Sequence, residues 1–256
     1  MTDADPVRLE RRESTLVITI DRPQARNAVN PAVAEGVSEG LRQLEEDDAL
    51  GAGVLTGAGG TFSAGMDLKA FAAGQRPVIG DRGFAGLTNA EIDKPLIAAV
   101  EGWAMGGGFE MALACDLVVA ADTARFGLPE VKRGLVAGAG GVFRLPRRLP
   151  HHVAMEVMLT GRPLEAARAE HFGLVNRVVA EGGSVDAALE LAGAITPNAP
   201  LALKAVKDVV RRTTGMDDSA AFAEQGPFVE RLRGSDDAAE GARAFAEKRS
   251  PEWRGR

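Results

Sequence analysis

Hydrophobic runs of two periods alternate along the first half of this chain. Leu16-Val17-Ile18-Thr19-Ile20 is a short β-branched run that reads as a strand. It stops at Asp21-Arg22-Pro23, where proline breaks the ladder. Asn30-Pro31 then opens a helix, with Asn as cap and Pro in the first turn. Val33, Val37, Leu41 and Leu44 recur at spacings of 4, 4 and 3, which puts them on one face. Gly53 to Gly57 predicts a second, buried strand; Lys94 to Val100 predicts a third and Leu117 to Ala121 a fourth. Residues 57 to 66 form a glycine-rich turn, and residues 72 to 93, polar and irregular, predict a mobile loop. Gly106-Gly107-Gly108 leads into a helix from about Phe109 to Ala114. Strands alternating with helices predict an α/β fold whose sheet is covered on both sides.

After residue 140 the pattern turns helical. Helices are expected over Val153 to Leu159, Leu164 to Phe172, Val185 to Ile195, Leu201 to Val210, Ser219 to Leu232 and Asp236 to Ala246. Asn198-Ala199-Pro200 marks a joint, so a core over residues 1–196 and a helical region over 197–256 are expected. No tandem repeat or low-complexity segment stands out.

Composition narrows the function. With 256 residues, 45% of them hydrophobic, the chain can bury one large core. A net charge of −6 argues against nucleic acid as the main partner, but leaves room for an anionic ligand held by a local cluster of Lys and Arg. No run of about eighteen apolar residues occurs, so no membrane span is expected. The start, Met1-Thr2-Asp3-Ala4-Asp5, is acidic where a secretion signal would be basic, and the reading is a cytoplasmic protein. The single cysteine, Cys115, sits in an apolar setting and reads as core. There is no GxGxxG fingerprint and no phosphate-binding P-loop. Thr61-Phe62-Ser63-Ala64-Gly65 misses the nucleophile elbow because Thr stands where Gly is needed. No metal-ligand spacing appears. His151, His152 and His171 lie in helical segments and read as surface or packing residues.

Two glycine-rich turns carry the candidate chemistry, each after a buried strand: Phe62 to Lys69, and Gly102 to Glu110. Three consecutive glycines are costly in backbone entropy and make sense where something approaches the main chain closely. A helix starting there presents unpaired N–H groups and the positive end of its dipole, which suits a developing oxyanion. On spacing alone, a tight turn with close helix packing explains the run equally well.

The motifs together resemble the enoyl-CoA hydratase/isomerase (crotonase) superfamily. Asp21-Arg22-Pro23-Gln24-Ala25-Arg26-Asn27-Ala28-Val29 is similar to its NRPxxxNAL segment, with Asp for the first Asn. Phe62 to Lys69 is similar to its F-[SA]-A-G-x-D-[LI]-K segment, and Lys94 to Glu110 to its KP…GGG-x-E segment. Phe126 to Val131, Gly134 and Gly138-Ala139-Gly140-Gly141 resemble its F-x-x-PE…G…GxGG segment. Phe172 to Asn176 resembles the GLVN turn, and Glu240-Gly241 with Phe245 to Arg249 the C-terminal EG…AF-x-EKR. Six pieces in order cover nearly the whole chain.

The resemblance implies a ββα spiral core with a helical C-terminal region that builds trimers, commonly paired into hexamers. It implies that the Met66 and Gly107 amides hold a thioester carbonyl, and that Ala64, Asp67, Leu68 and Lys69 line the adenine and pantetheine path. Phe245 and Lys248 would reach CoA, often across a subunit boundary, and Arg26 would face the CoA phosphates. Glu110 and Glu130 decide the subfamily, since their separation is that of the hydratases. An isolated Glu at a helix start or after Pro is ordinarily a cap or a surface residue, so the pair draws its meaning from the motif. Hydration needs a base for water and an acid for the α carbon. Two close carboxyls cannot easily both ionise. Glu110, in a helical first turn, is read as the group that activates water and Glu130 as the proton donor.

The implied reaction is hydration of 2-enoyl-CoA to 3-hydroxyacyl-CoA, with no cofactor, no metal, and an acyl-CoA thioester as the partner. A carnitinyl-CoA dehydratase-type activity, a Δ3-Δ2 enoyl-CoA isomerase and a non-catalytic acyl-CoA-binding protein are the alternatives.

Overall fold

The computed structural model describes residues 5–256, so the reading of residues 1–4 lies outside the described part. The chain opens with a hairpin, β1 (Val7–Arg12) and β2 (Thr15–Ile20), in which Val7 faces Ile20. The hydropathy pattern gave no sign of β1, because Val7 is its one buried residue. Helix α1 (Pro31–Glu46) follows, capped as expected by Asn30, whose side chain accepts the Val33 N–H. Val33, Val37, Leu41 and Leu44 form its buried face. Then come β3 (Ala52–Gly57), the short α2 (Leu68–Ala72), β4 (Leu96–Val100), β5 (Trp103–Met105), α3 (Gly107–Ala114), β6 (Leu117–Ala121) and β7 (Arg125–Gly127). Two helices, α4 (Gly141–Arg148) and α5 (His151–Thr160), precede β8 (Leu164–Glu165), α6 (Ala166–His171), β9 (Arg177–Val179) and α7 (Ser184–Ile195).

The main sheet runs β1-β2-β3-β4-β6-β9, parallel from β2 onward, and β5, β7 and β8 form a second, small sheet. Alternation along β4 explains why the central strands read as unbroken apolar runs. Leu96, Ala98 and Val100 belong to the main core that also holds the buried face of α1, whereas Ile97 and Ala99 pack with Ala188 and Ala192 of α7.

Residues 72–93 differ from expectation. Phe84, Ala85, Leu87, Thr88 and Ile92 are buried, and Phe84, Leu87 and Ile92 join the main core. Residues 83–88 and Ile92 thus form a packed wall rather than a mobile loop, whereas 72–82 are largely exposed apart from Pro77. The apolar residues of the wall follow no helical or strand period, which is why the pattern missed them. Helix α4 was also missed: Pro146 and three arginines disguise eight residues that bury Leu145.

The C-terminal helices α8 (Pro200–Thr213), α9 (Asp218–Arg233) and α10 (Asp236–Glu247) appear where expected. Asp217 and Ser235 cap the last two through Ala220 N and Ala238 N. The chain then turns back over α10. Trp253 covers Gly241 and donates Nε1–H to Pro197 O at 2.6 Å, and the buried Asp237 carboxylate accepts the Arg254 and Gly255 amides.

Candidate active site

Asn27 builds the first turn. Fully buried, it donates to Ala58 O and Thr61 O and accepts the Arg22 N–H. Ser63 Oγ donates to Asn27 O at 2.8 Å and accepts Gly65 N–H at 3.1 Å. Val29 then bonds both neighbours of Met66: its N–H donates to Gly65 O and its carbonyl accepts Asp67 N–H. In such a parallel bridge the intervening residue's own N–H points away from the partner. Met66 N–H accordingly has no acceptor among the described residues.

The second turn packs onto the first. β5 pairs with it through Ser63 N–H to Trp103 O and Met105 N–H to Ser63 O. Gly65, at φ +86°, is forced: a Cβ there would stand 2.5 Å from Met105 O and 2.8 Å from Gly107 N. Each glycine of 106–108 has a separate cause. A Cβ at Gly106 would meet Glu130 Oε1 at 2.9 Å, one at Gly107 the Phe84 ring at 2.6 Å, and one at Gly108 would overlap Ser63 O. Gly107 is the first residue of α3, and its N–H also lacks an acceptor among the described residues. Both explanations left open by spacing therefore hold at once: the turn is tight, and it leaves an amide unpaired.

The two glutamates have unlike surroundings. Glu110 is 3% exposed, and its Oε1 accepts Ala139 N–H at 2.7 Å and Gly141 N–H at 2.9 Å. Burial pushes its pKa up, as does the Glu130 charge, while the two amides and Arg144 pull it back. Glu130 stands on a 3-10 turn, Pro129–Arg133, half-buried, with Oε2 buried and without a partner among the described residues. Burial raises its pKa too. Two amides favour an anion at Glu110, and an oxygen without a donor favours a proton at Glu130.

These groups meet at an open cavity of about 940 Å³. Met66, Gly107 and Glu130 line it, as do Arg26, Ala64 and Leu68; Glu110, buried and electrostatically coupled to Glu130, is not part of the lining. Asp67 and Lys69, expected along the ligand path, do not line it. The Asp67 carboxylate is taken up by the Lys69 and Ala70 amides that start α2 and by Arg22 at 3.2 Å, and Lys69 is exposed on that helix. Phe245, 88% exposed, and Lys248, at the left-handed end of α10, are also absent from its lining. The hydropathy pattern gave no hint of Phe84 and Trp103, or of the Ala139 and Gly141 amides, all brought in by contacts distant in sequence. Lys132 and Arg133, visible as a basic run, lie on the rim with Arg26. Cys115 is buried, which pushes its thiol far above its ordinary range, as a packing residue requires. Among the described residues no group of three His, Cys, Asp or Glu could hold a metal ion, and no helix is long and apolar enough to cross a membrane.

Two amides without acceptors among the described residues, beside one buried and one half-buried carboxyl, make an acid–base site around a place where an oxygen can take on negative charge. The chain belongs to the enoyl-CoA hydratase/isomerase family, whose profile matches residues 10–256. It is 44% identical to a carnitinyl-CoA dehydratase of Proteus mirabilis, over 97% of this chain and 98% of the relative. An enoyl-CoA hydratase structure from Mycobacterium tuberculosis superposes with a TM-score of 0.96 at 51% identity, covering 99% of this chain and all of that one. A carnitinyl-CoA hydratase structure from Mycobacterium avium gives 0.78 at 49% identity with the same coverage. The α/β architecture is thus that of the crotonase fold.

Proposed function

We propose that this chain adds water reversibly to a 2-enoyl-CoA, giving a 3-hydroxyacyl-CoA. The observation that carries the reading is the pair of acceptor-less amides, Met66 and Gly107, on one cavity with Glu130, whose charge is felt by the buried Glu110. The thioester oxygen sits between the two amides. Glu110 takes a proton from water as the oxygen of that water bonds C3. The π electrons move onto the thioester oxygen, where the amides stabilise them. Glu130 then donates its proton to C2 and the carbonyl re-forms. Losing one such amide typically costs about 2.7–4 kcal/mol of barrier. No metal or cofactor enters, because the thioester is its own electron sink.

Arg26, joined by Lys132 and Arg133, attracts the phosphates of CoA. Phe245 and Lys248 reach the CoA of a second copy in a trimer or a pair of trimers, which fits their exposure here. The cellular site is the cytoplasm. The dehydratase-type reading stays in play for one reason: several relatives 43–45% identical carry that name. Crotonyl-CoA, a 3-enoyl-CoA and crotonobetainyl-CoA assayed side by side test the proposal. Turnover of the first at the highest kcat/KM supports it. Preference for the second or third reassigns the chain, and binding without any turnover marks a non-catalytic binder.

A further inference from the structure

Arg144 lies on α4 behind the cavity, and no step above uses it. Its guanidinium is partly buried and makes two hydrogen bonds, to Ala139 O at 3.0 Å and to Thr88 O at 2.5 Å. Each carbonyl belongs to a segment that supports one half of the site. Ala139 is the residue whose own N–H orients Glu110 Oε1. Thr88 accepts the Phe84 N–H on Oγ1 at 3.0 Å, and the Phe84 ring lies against Gly107.

The main chain is shaped to receive this cation. Gly140 has φ +109°, and a Cβ there would overlap Arg144 Nη1, so the guanidinium folds back over bare backbone. A Cβ at Gly141 would meet Leu128 Cδ1 at 2.9 Å, Ala137 Cβ at 3.0 Å and Glu110 Cγ at 3.2 Å. Two glycines of the 138–141 run thus have distinct causes: Gly140 makes room for the cation, and Gly141 for close packing against Leu128, Ala137 and the stem of Glu110. The centroid of the Phe143 ring lies 5.1 Å from the guanidinium carbon.

We infer that Arg144 is a positioning residue: one guanidinium clamps the turn that orients Glu110 to the segment that supports Gly107. Its kinetic consequence rests on the hydratase reading. A fork with two donors can hold two carbonyls in fixed relation, whereas an ammonium is a point charge on a flexible stem. The groups facing Glu110 are Glu130, Arg144 and the Ala139 and Gly141 amides, so Arg144 is also the cation that favours the Glu110 anion.

The test compares wild type, Arg144→Met and Arg144→Lys in crotonyl-CoA hydration from about pH 5 to about pH 9. In parallel, infrared spectroscopy follows an isotope-labelled thioester carbonyl of bound butyryl-CoA, which needs no turnover. Arg144→Met should lower kcat about 100-fold, as small misplacements of reacting groups do, with KM within about threefold. The acid limb of its kcat profile should move to higher pH, because Glu110 must be ionised to act as base and has lost its favouring cation. The infrared shift of the carbonyl should shrink. Arg144→Lys keeps the charge, so its limb should stay in place while kcat still falls. Wild-type kcat in Arg144→Lys, or an unmoved limb and unchanged carbonyl stretch in Arg144→Met, overturns the inference. If wild type hydrates no enoyl-CoA, the hydratase reading falls, and the infrared arm alone decides the role of Arg144. If Arg144→Met does not fold, Arg144→Lys carries the test.

Discussion

All five side chains of β4 are buried, whereas α9, about three times as long, buries none. The contrast holds more widely. Around the cavity, Asn27, Ser63, Gly65 and Glu110 are each fixed by identified partners within the chain. In the C-terminal helices only Ala205, Asp237 and Ala244 are buried, while Val206, Val210, Phe222 and Phe245 stand in solvent. A helix without an inner face draws little stability from its own chain. The proposed chemistry is therefore complete in one copy, but the proposed hold on distant parts of CoA waits for another. Variants near the sheet should act on kcat, and variants near the tail on KM.

The sharpest way to break this contrast is Glu130→Gln. Its kcat on crotonyl-CoA should fall about 1,000-fold, within the usual range for losing a general acid, while affinity for the ester stays within about threefold. A comparable loss of affinity, read by calorimetry with butyryl-CoA, would erase the distinction. Next is Gly108→Ala, where the new methyl overlaps the Ser63 carbonyl. Denaturant titration should show a loss of about 1–3 kcal/mol, with kcat reduced, since backbone must shift at both turns. In the tail, Trp253→Ala removes the bond to Pro197 O and the cover over Gly241. We expect KM to rise about fivefold at nearly unchanged kcat, with a hydrogen bond's worth of stability, about 1 kcal/mol, lost. Phe245→Ala should raise KM by a smaller factor and leave the melting temperature where it was.

A last, small effect comes from protonation. A carboxyl whose folded pKa is raised stabilises the fold fully below its unfolded value, and that stability is lost as pH rises through the folded value. Glu130, raised from an ordinary 4.5, has this sign. Glu130→Gln cannot ionise, so it should melt higher than wild type at about pH 8, and the gap should close toward about pH 4. A gap of opposite sign would mean that the Glu130 anion is well solvated.

Local rules made much of this molecule legible. Asn30-Pro31 announced α1, and the apolar runs announced β2, β3, β4 and β6. What the pattern hid was long-range. β1 exists because β2 has an edge to pair, not because its own residues are apolar. Phe84 reads as a stray aromatic in a polar stretch until the fold brings it to Gly107. Motifs drew attention to Asp67, but its carboxylate is spent on two amides and an arginine. The glutamates could be located along the chain, but the amides that separate their protonation arise 29 and 31 residues after Glu110.

Val29 binds the residues on either side of Met66 and leaves the peptide between them turned outward. A donor of that kind belongs to no side chain, so residue 66 is open to drift: nineteen amino acids supply the same N–H, and proline alone withholds it. A substitution scan should therefore find tolerance at the reacting position and intolerance at its silent supports, Ser63 and Gly65.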